Sequence, residues 1–260
     1  SYSRYTDGGQ KRAQSVHLDG GDGNDRITAN ISTNYYWNGN TIVSALGGSG
    51  DDVININGGS YYGSASVSVS GGSGQDTITV SDNYAGTTND NNAEYGFKTV
   101  AVDAGDDNDT ITVSGGLNTT ITTGSGSDTI VLTAQQYYSQ RQGSRQERNT
   151  NHQVIGTINA DPITITDFTT GTGGDILDYS DLLKNAASTY SGENPFSTGH
   201  IKLVQSGQDT LFQFDADGTG TDEKAITLAV LQNVQASALR TNNFNPNFPP
   251  DGSAAQGQLI

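Results

Sequence analysis

Five times along the chain an apolar residue is followed nine places later by an isoleucine. The pairs are Leu18 and Ile27, Ala45 and Ile54, Val69 and Ile78, Val102 and Ile111, and Ile121 and Ile130. Apolar and polar positions alternate around them, as in VSVS (67–70) and TITV (77–80), a period of two that predicts strands with one buried face. A polar, glycine-rich bend separates the members of each pair. The register inside a unit is constant, whereas the spacing between units varies. That combination predicts strand, tight turn, strand and an outward return loop whose length costs little. Successive units then stack about 4.8 Å apart as a parallel β-solenoid, a β-roll or β-helix.

The bends read GGDGND (20–25), GGSGDD (47–52), GGSGQD (71–76), AGDDND (104–109) and TGSGSD (123–128). Each ends on an aspartate in sixth place, and these acids are 27, 24, 33 and 19 residues apart. Glycine admits positive φ, so successive carbonyls can be aimed at one locus without a Cβ penalty. A carboxylate added to such carbonyls makes an all-oxygen, adaptable cage, which suits Ca²⁺ better than octahedrally exacting Mg²⁺. Without a cation the stacked carboxylates repel, so the array is expected to form poorly.

These segments resemble the RTX nonapeptide, GGxGxDxUx with U a large apolar residue, a calcium-binding solenoid repeat. Segments 20–28, 47–55 and 71–79 match every fixed position; Ala104, Asp107 and Thr123 depart in the last two units. The resemblance implies Ca²⁺ ligands at the carboxylates of Asp25, Asp52, Asp76, Asp109 and Asp128. It further implies the carbonyls of Gly21, Gly23, Gly48, Gly50, Gly72 and Gly74, the turns forming one row of about four ions. The return loops on the opposite edge lack the motif.

Composition narrows the reading. Of 260 residues 34 are glycine, 32% are hydrophobic, and the net charge is −16, which argues against nucleic acid and for cations. There is no cysteine, hence no disulfide or thiolate metal site. Neither an N-terminal signal peptide nor a membrane span is read from the sequence. The lack of methionine suggests a piece of a longer protein, with residues 1–14 as a leader and 15–133 as the repeat region.

Return loops carry Tyr35, Tyr36, Trp37, Tyr61, Tyr62, Tyr84 and Tyr95, which form either a stiffening aromatic ladder or a sugar-binding edge. Residues 134–158 are an Arg- and Gln-rich insertion or connector. Arg141, Arg145 and Arg148 fall at helix-like spacing, consistent with a short helix. From 159 to 240 the pattern predicts a short helix over 180–187, capped by Ser180 or Asp181, and a meander near 201–205, 210–215 and 225–231. Residues 241–260 read as a flexible tail.

The stretch 160–240 resembles the C-terminal target domain of large type I-secreted RTX adhesins of Gram-negative bacteria. The resemblance implies a secreted, cell-surface location, and export machinery (an ABC transporter with an outer-membrane channel) as the partner of a monomer. Two further acid groups are candidates for calcium: Asp167, Asp175 and Asp178 around a GTGGD turn, and Asp215 with Asp217 in a DxDG turn. The latter lacks the distal acid of an EF-hand, since position 226 is Ile, and reads as a plain β-turn. No HExxH, no GxSxG and no His or Cys cluster occurs, so no active site is read. The expected function is a calcium-folded export and capping module. The alternatives are a glycan-binding module using the aromatic edge, and the non-catalytic tail of a secreted hydrolase.

Overall fold

The computed structural model describes residues 14–33, 41–60, 64–82, 96–116, 118–137, 145–148, 154–158, 161–220 and 224–252. Among the described residues, ten strands precede the insertion: β1 (Gln14–Asp22), β2 (Arg26–Thr33), β3 (Thr41–Ser49), β4 (Val53–Ser60), β5 (Ser64–Ser73), β6 (Thr77–Asp82), β7 (Gly96–Asp106), β8 (Thr110–Ser114), β9 (Thr119–Ser125) and β10 (Thr129–Val131). Odd-numbered strands pair in parallel in one sheet and even-numbered strands in another. The protein is therefore mostly β and parallel, each unit giving one strand to each sheet.

Register follows the apolar columns. Leu18, Ala45, Val69, Val102 and Ile121 are successive partners in the first sheet. Ile27, Ile54, Ile78, Ile111 and Ile130 are successive partners in the second. The four isoleucines from Ile54 to Ile130 are completely buried, each worth about 1.5–3 kcal/mol. One slip of a single residue would turn a whole column to solvent, so the columns fix the pairing. An irregularity at Ala65/Ser66 opposite β7 allows Phe97 and Val100 to face inward together. The Phe97 ring fills the space above Gly58, where a Cβ would lie 2.3 Å from ring carbons.

Residues 161–252 extend both sheets. β13 (Ile163–Ile165) pairs with β9 and with β17 (Ile226–Leu231); β16 (Asp209–Phe214) and β15 (Ile201–Ser206) complete an antiparallel meander where the pattern predicts one. The second sheet continues through β14 (Ile176–Asp178) to β18 (Phe244–Asn245). Buried Tyr179, Phe212, Phe214 and Phe244 form the aromatic centre of this part.

Three local expectations are corrected. Helix α1 spans Ser180–Asn185, but Tyr179 occupies the N-cap and makes no side-chain cap bond. Ser180 instead donates through its hydroxyl to Asp178 Oδ1 at 2.6 Å. In the insertion, β11 (Arg145–Arg148) pairs antiparallel with β12 (Val154–Ile158), so Arg145 and Arg148 lie on a strand; pairing with the next segment overrides their helix-like spacing. Arg141 lies outside the described residues, as do Tyr35, Tyr36, Trp37, Tyr61, Tyr62, Tyr84 and Tyr95.

The third correction concerns the tail. Residues 241–252 are built into the fold, with Phe244 and Asn245 in register with Leu177 and Asp178. Asn243 is completely buried, accepting from Gly171 N–H and donating to the carbonyls of Thr169 and Asp175. Polar residues in this stretch thus serve as internal hydrogen-bond partners. Residues 253–260 lie outside the description.

Candidate metal centre

The glycine turns stack along one edge between the sheets. Their second and fourth places take positive φ, 116° at Gly48 and 113° at Gly50. The second place has a further constraint: a Cβ on Gly48 would lie 1.9 Å from the Gly21 carbonyl oxygen, so one unit's carbonyl fills the room a side chain would need in the next. The fourth unit, where Asp107 replaces glycine, keeps the same bend, with Asp107 at φ 79°. Its backbone conformation therefore survives the departure from the motif.

The sixth-place aspartates form an ordered ladder. Asp25 N–H donates to Asp52 Oδ1 at 2.7 Å, Asp52 N–H to Asp76 Oδ1 at 2.8 Å, and Asp76 N–H to Asp109 Oδ1 at 2.7 Å. Asp109 N–H then donates to Asp128 Oδ1 at 2.8 Å. Each carboxylate from Asp52 onward thus holds the unit before it with one oxygen. A second ladder runs the opposite way at the fifth place, where Asn24, Asp51 and Asn108 accept from the fifth-place amides of the following units.

The other carboxylate oxygen is different. Oδ2 of Asp25, Asp52, Asp76, Asp109 and Asp128 is buried in every case and accepts no hydrogen bond. For Asp52 and Asp76 a carbonyl lies on the same side of the first-place glycine. The Cβ position of Gly47 lies 2.4 Å both from Asp52 Oδ2 and from Gly71 O; that of Gly71 lies 2.3 Å from Asp76 Oδ2 and 2.2 Å from Ala104 O. Buried acceptors converging on acceptors are costly unless a proton or cation lies between them.

Electrostatics point the same way. Burial, reinforced by the neighbouring acids, pushes Asp76 up to about 6 and Asp109 and Asp128 up to about 7. Among the described residues, no three acidic or histidine side chains gather at one point. The carboxylates stand one per unit, so a cation held here would draw its remaining oxygens from the backbone. A hard, oxygen-seeking ion fits that donor set.

Asp167, Asp175 and Asp178 do not form the single cluster expected of them. Asp167 accepts from the amides of Thr123 and Gly124 and from the Thr123 hydroxyl. Asp178 accepts from Ser180 and Asn245. Asp175 instead joins the ladder, accepting Asp128 N–H at 3.1 Å. Its Oδ2, unlike the others, is hydrogen-bonded, by Thr169 N–H at 2.8 Å and the Thr123 hydroxyl at 3.2 Å. Asp175 thus gives the ladder a protein-satisfied end.

That end is a sixth, disguised turn which the sequence reading missed. TGTGGD (170–175) places Gly171 and Gly173 at positive φ, Asp175 sixth, and Leu177 opposite Ile130. The signal was the glycine at second and fourth place with the acid sixth. Its second and fourth places do not stack on the preceding turn, since Cβ atoms on Gly171 and Gly173 would meet nothing within 4 Å, while Ser127 Oγ donates to Gly174 O at 2.7 Å.

The chain matches no family model and no curated protein, so the reading of this edge rests on its residues and geometry.

Proposed function

We propose that the turn edge is a row of calcium sites, that the repeat region is an RTX β-roll, and that the chain is a calcium-dependent folding, capping and export module of a secreted adhesin. The observation carrying this reading is the row of five buried Oδ2 atoms that accept no hydrogen bond. The ions would be held by the carboxylates of Asp25, Asp52, Asp76, Asp109 and Asp128 with turn carbonyls, among them those of Gly21, Gly23, Gly48, Gly50, Gly72 and Gly74. Bound calcium supplies positive charge that offsets the burial of the carboxylates.

Sites of extracellular type bind at about 10⁻⁴–10⁻³ M and are empty at cytosolic calcium. The acidic chain then remains extended and fit for a narrow type I export channel. Outside, binding becomes folding energy, roughly 2.7 kcal/mol for each site at a hundredfold excess over its constant. Several sites in one row suffice to decide the equilibrium. The residues from 161 onward close the far end of the stack, as a solenoid requires. Among the described residues no helix is long and apolar enough to cross a membrane.

The test is calcium titration of chelated protein, followed by far-UV circular dichroism. A cooperative rise of β signal in the range above supports the reading. A spectrum indifferent to calcium and chelator overturns it.

A further inference from the structure

The meander contains a second group of acids, remote in sequence from the glycine turns. Directly after β16 the chain reads DADGTG (215–220). Asp215 is 3% exposed, and its N–H donates to the His200 carbonyl at 2.9 Å, which fixes the start of the turn against the 196–200 segment. Its Oδ2 accepts from Lys202 Nζ at 3.0 Å, while its Oδ1 is buried and accepts nothing. The lysine side chain is 42% exposed, so much of its charge remains in water and compensates a buried carboxylate only in part.

A second carboxyl group adds to the imbalance. Asp217 stands within hydrogen-bonding reach of the Asp215 carboxyl, and like charges at that separation repel strongly when desolvated. The turn is shaped around both acids. Gly218 N–H donates to Asp215 O at 3.3 Å and Gly220 N–H to Asp217 O at 3.0 Å. A Cβ on Gly220 would lie 2.1 Å from Asp217 Oδ2, so glycine is what lets the backbone fold over that carboxylate. A Cβ on Gly218 would lie 2.5 Å from Thr198 O, so the facing segment closes the other side.

The nearby imidazole offers no proton to the pair. His200 is buried, with Nε2 3.1 Å from the Thr189 hydroxyl and Nδ1 2.7 Å from the Thr198 hydroxyl. Among the described residues, the recess walled by Gly218 and Gly220 thus holds a buried carboxylate oxygen, Asp215 Oδ1, that accepts no hydrogen bond. Hard divalent cations take such oxygen sets, completed by carbonyl or water.

We infer that the 215–220 turn binds one divalent cation of the calcium type, through Asp215 Oδ1 and the Asp217 carboxylate. The site is separate from the glycine-turn row and does not depend on it.

The experiment counts calcium per chain by equilibrium dialysis and metal analysis on the whole protein, in four forms: unchanged, Asp217→Asn, Lys202→Met and Asp52→Asn. Asp217→Asn is expected to lose one ion with β content kept. Lys202→Met removes the competing ammonium and is expected to tighten one site by roughly tenfold. Asp52→Asn lowers only the row's count. If Asp217→Asn and Lys202→Met both leave count and affinity unchanged, the two acids share a proton and the inference is overturned, whatever the row does. If the row binds nothing but one ion remains and disappears in Asp217→Asn, the inference stands and the row fails.

Discussion

Asp76→Asn separates the two duties of a ladder carboxylate. Asparagine retains an oxygen where Asp76 Oδ1 accepts Asp52 N–H, so the inter-unit bond persists. At the other position an amide NH₂ replaces Oδ2, which is buried near Ala104 O and lacks a donor. Without cation this exchange turns an acceptor–acceptor contact into a hydrogen bond and removes a buried charge. The raised Asp76 value, about 6 against an ordinary 3.8, means that ionisation opposes folding, a cost already nearly complete at neutral pH. A displacement of that size corresponds to about 1–3 kcal/mol at most. Asp76→Asn should therefore stabilise the chelated protein by about 1–2 kcal/mol. With calcium the sign reverses, because a ligand is lost; one site at a hundredfold excess is worth roughly 2.7 kcal/mol. Urea unfolding followed by circular dichroism, in chelator and in millimolar calcium, reads both effects. A variant that shifts the midpoint in the same direction in both media refutes the reasoning.

The same acids predict a pH response. Burial raises Asp76, Asp109 and Asp128 to about 6, 7 and 7, so protonation favours the fold. That contribution is complete below about pH 4 and is lost as pH rises through 6 to 7. Chelated protein should gain β signal on acidification from pH 8 to 4.5, with little change when calcium is saturating; a chelated sample that loses structure over that range contradicts it. At the positive-φ turn places, adding and removing a Cβ should have opposite effects. Gly72→Ala places a Cβ 2.0 Å from Gly48 O at φ 116° and should cost about 2–4 kcal/mol, whereas Asp107→Gly relieves a φ of 79° and should gain about 1 kcal/mol, both measured by thermal unfolding.

The repeat register was legible because it is local and redundant. Each Ile from Ile54 to Ile130 carries its turn acid two places before it and its apolar partner nine places before it, and copies confirm one another. The sixth turn lacked that support. From Ile165 to Leu177 the chain spends twelve residues instead of nine, and Asp167 supplies the bonds that the extra residues displace from the Thr123 and Gly124 amides. The ordered tail was illegible for another reason: Asn243 and Phe244 find their partners at Asp175 and Leu177, far away in sequence. In the insertion the arginine spacing was consistent with a short helix, whereas pairing with the nearby Val154–Ile158 makes Arg145–Arg148 a strand. What neighbours along the chain dictate could be read; what distant partners impose could not.

The hydrogen bonds between successive aspartates all have one sense, each acid serving the amide of the unit upstream and the final one anchored by Thr169. Such a stack can be zipped from its downstream end: every newly arriving upstream unit meets an acceptor already in place. The fifth-place side chains do the reverse, each receiving the amide of the unit downstream. The two ladders together let a formed unit offer an acceptor to a neighbour arriving from either side.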